Sequence, residues 1–296
     1  MSAEPEASST GGLNSGHSAL IDGYSLEMTG KDVPGLLEAK ESIPAGTRIN
    51  VTFLGNESLE MRLAAANSVR ELGFVPVPHI SARRISSQHQ LEEFLDALHQ
   101  ARASENVFII GGDPARPEGP YEDSSDLIRT GLLTKYGVKQ VGIAGYPEGH
   151  PDIGHEKLWN ALTEKTTLLK DQGLESSIVT QFAFDTDPVI DWIEDVRALG
   201  ITSEIRVGTP GPAGIRRLLG FARRFGIGAN AMIAKKYGFS LTNLMGTAGP
   251  DKFVTELSER LDPTMTTGPV KLHFYTFGGL EATSNWAKRY KTQRQN

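Results

Sequence analysis

"RINVTFLGNESLEMRLAAANSVRELGFVPVPHIS", residues 48–81, reads as strand, helix, strand. The apolar run 48–55 stops at Gly55, and over 58–73 Leu59, Leu63, Ala66 and Val69 recur at helical spacing, so they share one face until Gly73 supplies a stop. The run 74–81 then returns to β-type residues and ends in a polar group. Strands that are apolar almost throughout, joined by an amphipathic crossover helix, are what a parallel sheet buried on both faces requires.

The same rhythm extends in both directions. Runs of this kind occupy 24–29, 48–55, 74–81, 106–113, 140–147, 176–185, 203–210 and 270–277. A second clear helix covers "DPVIDWIEDVRALG", 187–200, with Asp187 placed to cap it, Pro188 in the first turn and Gly200 as its stop. Eight strands in a chain of this size, at roughly 30 residues per unit, predict an α/β fold of the (β/α)₈ TIM-barrel type. An open doubly wound sheet is disfavoured, because no G-x-G-x-x-G turn follows the first strand and the strands continue past the usual six. Between Pro210 and Val270 the segments 211–226, 240–246 and 250–261 add helical sequence without a second domain. The expected organisation is a disordered tail over 1–20 and one catalytic barrel over 21–296.

The 296 residues carry a net charge of −6, and the 30 Lys and Arg residues are scattered, so no basic stripe awaits nucleic acid. There is no cysteine, which removes disulfides, thiolate metal sites and thiol nucleophiles. The start, "MSAEPEASSTGGLNSGHSAL", has neither the cationic beginning nor the apolar run of a secretory signal, and no run approaches the ~18 apolar residues of a membrane span. The expectation is a cytoplasmic protein with no membrane partner, and with homo-oligomer formation left open.

In a barrel of this type the chemistry sits where strands run out at the C-terminal face. Those ends carry Glu27, Thr52, His79, Asp113, Tyr146 with Glu148 and His150, Gln181 with Asp185, and Tyr275 with Thr276. Glu27, inside the apolar Leu26 and Met28, is either one half of an ion pair or, with its pKa raised by burial, a general acid. His79 is either a hydrogen-bonded structural residue or a ligand contact. In "GYPEGHPDIGH" the residues Glu148, His150, Asp152 and His155 fall close together, but Pro147 and Pro151 keep the segment extended and the i, i+4 pair of a zinc helix is missing, so no metal site is expected. There is also no G-x-S-x-G elbow and no P-loop.

"YSLEMT", "IIGGDP", "GYPEGHP", "VTQFAFD" and "HFYTF", in this order, resemble the S-F-E-F-F-P, L-R-G-D, Y-P-E-x-H-P, T-Q-F-F-F-D and H-F-Y-T-L-N-R pieces of the methylenetetrahydrofolate reductase family. The resemblance spans roughly residues 20 to 280. It implies a barrel carrying non-covalent FAD at its mouth and moving a hydride from NAD(P)H to 5,10-methylenetetrahydrofolate, giving 5-methyltetrahydrofolate. By position it assigns Glu27 as the general acid, Asp113 as the acid beside flavin and pterin, and Gln181 with Tyr275 as folate contacts. The same matching assigns the flavin shell to Thr52, His79, Gly112, Asp113, Ser124, Tyr146 and His150, with Lys165 as a displaced cation. Hydride addition needs a cationic iminium, which proton delivery to a folate nitrogen generates.

The chain departs from the family pattern at four cofactor-edge positions. Gly111 stands where the family has Arg, Leu169 falls at or near an expected Lys, Ile215 replaces an aromatic residue, and Gly279 replaces the last Arg. Losing those cations weakens diphosphate binding, so direct hydride transfer from a nicotinamide without flavin is an alternative. Two other classes stay open: a folate-binding or methyl-transfer accessory protein without redox chemistry, and a generic barrel enzyme using Glu27 and Asp113 as a carboxylate pair. The folate reading requires Glu27, Asp113 and Gln181 to meet around one pterin.

Overall fold

A computed structural model of the chain describes residues 20–224, 247–261 and 267–295. Eight parallel strands close into a barrel: β1 (Ser25–Met28), β2 (Arg48–Val51), β3 (Val75–Ser81), β4 (Asn106–Ile110), β5 (Gln140–Gly145), β6 (Glu175–Thr180), β7 (Glu204–Pro210) and β10 (Val270–Tyr275). Each strand lies beside its neighbour in sequence, and β10 closes the ring between β7 and β1. Each of the eight expected runs overlaps one barrel strand, the sixth strand starting one residue ahead of its run. The intervening β8 (Ala213–Gly214) and β9 (Thr247–Ala248) pair antiparallel above the barrel. Of the expected extra helical segments, Ile215–Arg224 and Asp251–Arg260 are helices, while 240–246 lies outside the described residues, as does most of the expected tail.

Alternation along the strands sorts the side chains. Leu26, Met28, Ile49, Val51, Ile80, Ile109, Val141, Ile143 and Ile178 point outward into the layer of helices and are fully or almost fully buried. The inward set is mixed. Its floor is polar: Arg48 donates across the lumen to Gln140, and Arg206 pairs with Glu204 at 2.7 Å and donates to the Gly23 carbonyl at 3.0 Å. Above the floor Val77, Phe108 and Val179 pack into one apolar plug with Ile110 and Ala144. The next inward layer holds the ionisable groups described below.

Two helix boundaries show how capping is decided. Ser58 Oγ accepts from Met61 N and starts the helix Leu59–Glu71. In the helix Thr186–Ala198 the cap is Asp185, whose carboxylate accepts from Asp187 N, rather than Asp187 itself, and Gly200 lies just past the C-cap Leu199. Asp185, expected as a mouth residue, is thus used at least in part as a cap.

Candidate functional site

The strand ends bring a chain of polar groups together inside the barrel mouth. His273, fully buried on β10, places Nε2 3.5 Å from the Glu27 carboxylate, and its Nδ1 lies 2.8 Å from Ser25 Oγ. β1 and β10 are paired so that Ser25 lies opposite His273, with Glu27 two residues further along β1, so the inward imidazole has the hydroxyl beside it and the acid above it. Thr276 Oγ1 donates to the Glu27 carbonyl at 2.6 Å and fixes the end of β1. On the other side of β1, Asn50 on β2 contacts His79 Nε2 at 3.1 Å. His79 is buried against the Phe108 ring, and burial pushes its pKa down to about 4, with Glu27 opposing and His273 reinforcing the shift. His79 is therefore a neutral imidazole near pH 7.

Tyr275 links this group to the sixth strand. Its hydroxyl donates to the Thr180 carbonyl at 3.0 Å, and its pKa is raised well above the ordinary phenol value, first by burial and then by Glu27 and Tyr146. Gln181 follows Thr180 and borders a cleft of about 630 Å³ whose other walls include Pro147, Glu148, His150 and His155. Tyr146 meets the His150 ring edge-on at 5.3 Å, and burial raises its pKa too. Within that loop His150 Nδ1 accepts from Asp152 N, and His155 Nε2 accepts from Trp159 Nε1.

Asp113 stands elsewhere. Its side chain is 75% exposed, and Arg84 grips it with two 2.9 Å hydrogen bonds, one to each carboxylate oxygen. Gly112 beside it has a φ of 100°, and a Cβ there would sit 2.1 Å from Ser81 Oγ, so only glycine suits the turn. Of the three residues expected around one pterin, Glu27 faces the lumen beside His273, Gln181 follows the Thr180 whose carbonyl Tyr275 holds and accepts from Phe182 N, and Asp113 is held by an arginine at the rim. Neither Glu27 nor Asp113 is among the lining residues of the Gln181 cleft.

The remaining flavin-shell positions test the fit of FAD. Thr52 Oγ1 and Ser81 Oγ are buried without a hydrogen-bond partner, which suits the polar edge of a ring bound at the mouth. The diphosphate is a different matter. Ser124 opens the short helix Ser124–Arg129, but Asp123 closes a capping box there and accepts from Ser125 N and Asp126 N. Lys165 is buried with Asp123 and Glu164 as its charged neighbours, and burial lowers its pKa; Leu169 is fully buried and apolar. Arg83 donates to two backbone carbonyls and lies within 4.0 Å of Glu122, while Arg84 is committed to Asp113 and Glu118. A diphosphate placed here meets a carboxylate where a free helix N-terminus would be needed, and cations already paired. The residues present do not fit that half of FAD.

Sequence reasoning passed over Ser25, Asn50, Arg84 and His273. His273 was legible: it lies two residues before Tyr275 on one strand, and the period of two puts both in the lumen. Arg84 was not, because nothing in its own segment points to Asp113.

The fold and the mouth define a (β/α)₈ barrel with an acid, two imidazoles and a phenol at its C-terminal end. The family model described as methylenetetrahydrofolate reductase matches residues 30–226, and the chain belongs to that family. Glu27, His273 and Tyr275 lie outside the matched span. Methylenetetrahydrofolate reductase 1 of Schizosaccharomyces pombe is 29% identical over 219 residues, covering 67% of this chain and 32% of that protein. Methylenetetrahydrofolate reductase (NADH) 1 of Zea mays is 26% identical over 254 residues, covering 75% of this chain and 39% of the relative. The chain thus spans about a third of the length of these relatives. Among solved structures, a Clostridium thermocellum protein that binds two copies of 5-methyl-5,6,7,8-tetrahydrofolic acid shares the fold, with a TM-score of 0.61 at 11% identity over 91% of this chain and 95% of that one.

Proposed function

We propose that the chain is a folate oxidoreductase in which a hydride passes directly between a nicotinamide dinucleotide and the one-carbon unit of 5,10-methylenetetrahydrofolate, giving 5-methyltetrahydrofolate. The observation that carries this reading is the Glu27 carboxylate 3.5 Å from the buried His273 Nε2, with Ser25 on the far imidazole nitrogen. Glu27 donates its proton to a folate nitrogen, the imidazolidine ring opens, and the cationic iminium accepts the hydride at its carbon; NADH leaves as NAD⁺. Ser25 orients the imidazole, so His273 presents one ring nitrogen to the acid. Gln181 and Tyr275 border the pterin, and Asp113 reads its amidine edge once Arg84 is displaced. The family membership supports the folate substrate, and the Zea mays relative's name supports NADH as donor. The flavin route of the family is not assigned, because the diphosphate lacks its cations here.

Glu27→Gln tests the reading. The variant is expected to lose 10²–10⁴-fold in kcat for NADH-dependent reduction of methylenetetrahydrofolate, about what a general acid contributes, while still binding 5-methyltetrahydrofolate. Turnover at the unsubstituted rate would overturn the role of Glu27. Folate binding without turnover in the unsubstituted protein would leave an accessory folate-binding protein.

A further inference from the structure

A second cleft, of about 570 Å³, lies between the loops that follow β7 and β10. Arg216, Arg217 and Arg289 line it with Asn285, and no Asp or Glu is among its lining residues. Arg217 donates to the Phe277 carbonyl at 2.7 Å, and among the described residues none of the three guanidiniums is in an ion pair. Three uncompensated cations in one concavity of a chain with net charge −6 make a local positive field that small anions seek. The contrast with the other rim is direct: Arg83 and Arg84 there face Glu122, Asp113 and Glu118.

The walls of the cleft are built. Gly211 N donates to the Tyr275 carbonyl at 2.9 Å, and Gly278 approaches so closely that a Cβ on it would lie 1.8 Å from the Pro212 carbonyl oxygen. Phe277 stacks on Phe221 at 3.9 Å and anchors the helix Ile215–Arg224 that carries Arg216 and Arg217. Ala282, Asn285 and Arg289 recur on one face of the helix Leu280–Gln295. In (β/α)₈ barrels the loops after the seventh and eighth strands frequently form a phosphate site. Two departures from the family pattern, Ile215 and Gly279, fall in or beside this cleft.

We propose that this cleft binds phosphate groups, and that the diphosphate of the nicotinamide dinucleotide is the source the proposed reaction supplies; the second clause rests on that reading, the first does not. The position suits it, since the cleft opens at Pro212, two residues beyond the end of β7, and at Gly278, three beyond Tyr275, so a dinucleotide held here extends its nicotinamide toward the mouth.

Titration calorimetry of the full chain with inorganic diphosphate, NADH and triglutamate, on unsubstituted protein and on Arg216→Gln, Arg289→Gln and the double variant, tests it. Each lost guanidinium is expected to weaken diphosphate and NADH binding about tenfold, with triglutamate the weakest ligand throughout. The substituted positions are exposed, so the fold is retained, and matching thermal midpoints will verify this. No diphosphate binding, equal affinity in the double variant, or triglutamate binding more tightly than diphosphate would each overturn the proposal. Arginine-dependent diphosphate binding with unchanged NADH affinity would support the phosphate site, assign it to free phosphate, and refute the dinucleotide. None of these readouts needs turnover, so a chain inactive on folate still decides the matter.

Discussion

Arg84→Gln is the most informative change at the mouth. Asp113 can read the amidine edge of a pterin only by exchanging the guanidinium that now holds both of its oxygens. The strength of that competitor follows from its setting: the Asp113 side chain is 75% exposed and that of Arg84 20%, so the pair is a solvated one with good two-point geometry. Such a pair is worth about 1 kcal/mol at the upper end of exposed ion pairs. Removing it should therefore tighten 5-methyltetrahydrofolate binding by about fivefold at low salt, the same energy expressed as affinity. The gap between variant and unsubstituted protein should narrow at high salt, as screening weakens the competing pair. Calorimetry at two salt concentrations measures both effects, with Asp113→Asn as the control in which Arg84→Gln has nothing to release. Weaker folate binding by Arg84→Gln alone would refute the exchange, and would mean that the guanidinium itself touches the ligand.

Further expectations concern the interior. The His79 pKa falls from 6.5 to about 4 on folding, so between those values the unfolded chain binds the proton that the folded one refuses. Stability should then drop as pH falls through this window, by about 3 kcal/mol at most, and urea midpoints of His79→Gln should show a shallower decline than the unsubstituted protein. Gly112→Ala should cost about 1–3 kcal/mol, since φ is 100° and Ser81 Oγ fills the Cβ position, whereas Gly111→Ala, with open space at its Cβ, should be nearly neutral in the same melts. Added FAD should leave the thermal midpoint unchanged and the purified protein colourless; a saturable rise in the midpoint with flavin absorbance would show that the diphosphate finds partners after all.

The barrel was legible because each parallel strand, covered on both faces, must be written as a nearly unbroken apolar run. Local chemistry was harder to place. Asp185 and Asp187 both precede Pro188 by a short interval, and only the backbone geometry selects Asp185 as the cap. Asp113 was rightly put at a strand end, but its partner Arg84 comes 29 residues earlier, from a turn beside it because β3 and β4 are neighbours. Reading only strand ends also overlooked His273, one inward position deeper than Tyr275, where the acid finds its neighbour.

The polar floor of the barrel, with Arg48 spanning to Gln140 and Arg206 locked to Glu204, lies beneath a plug of Val77, Phe108 and Val179, so apolar side chains stand between the floor and the ionisable layer above it. In the proposed reaction a proton given up by Glu27 then returns by way of the mouth, the side the product must also leave by, so refilling of the acid and departure of the product share one exit.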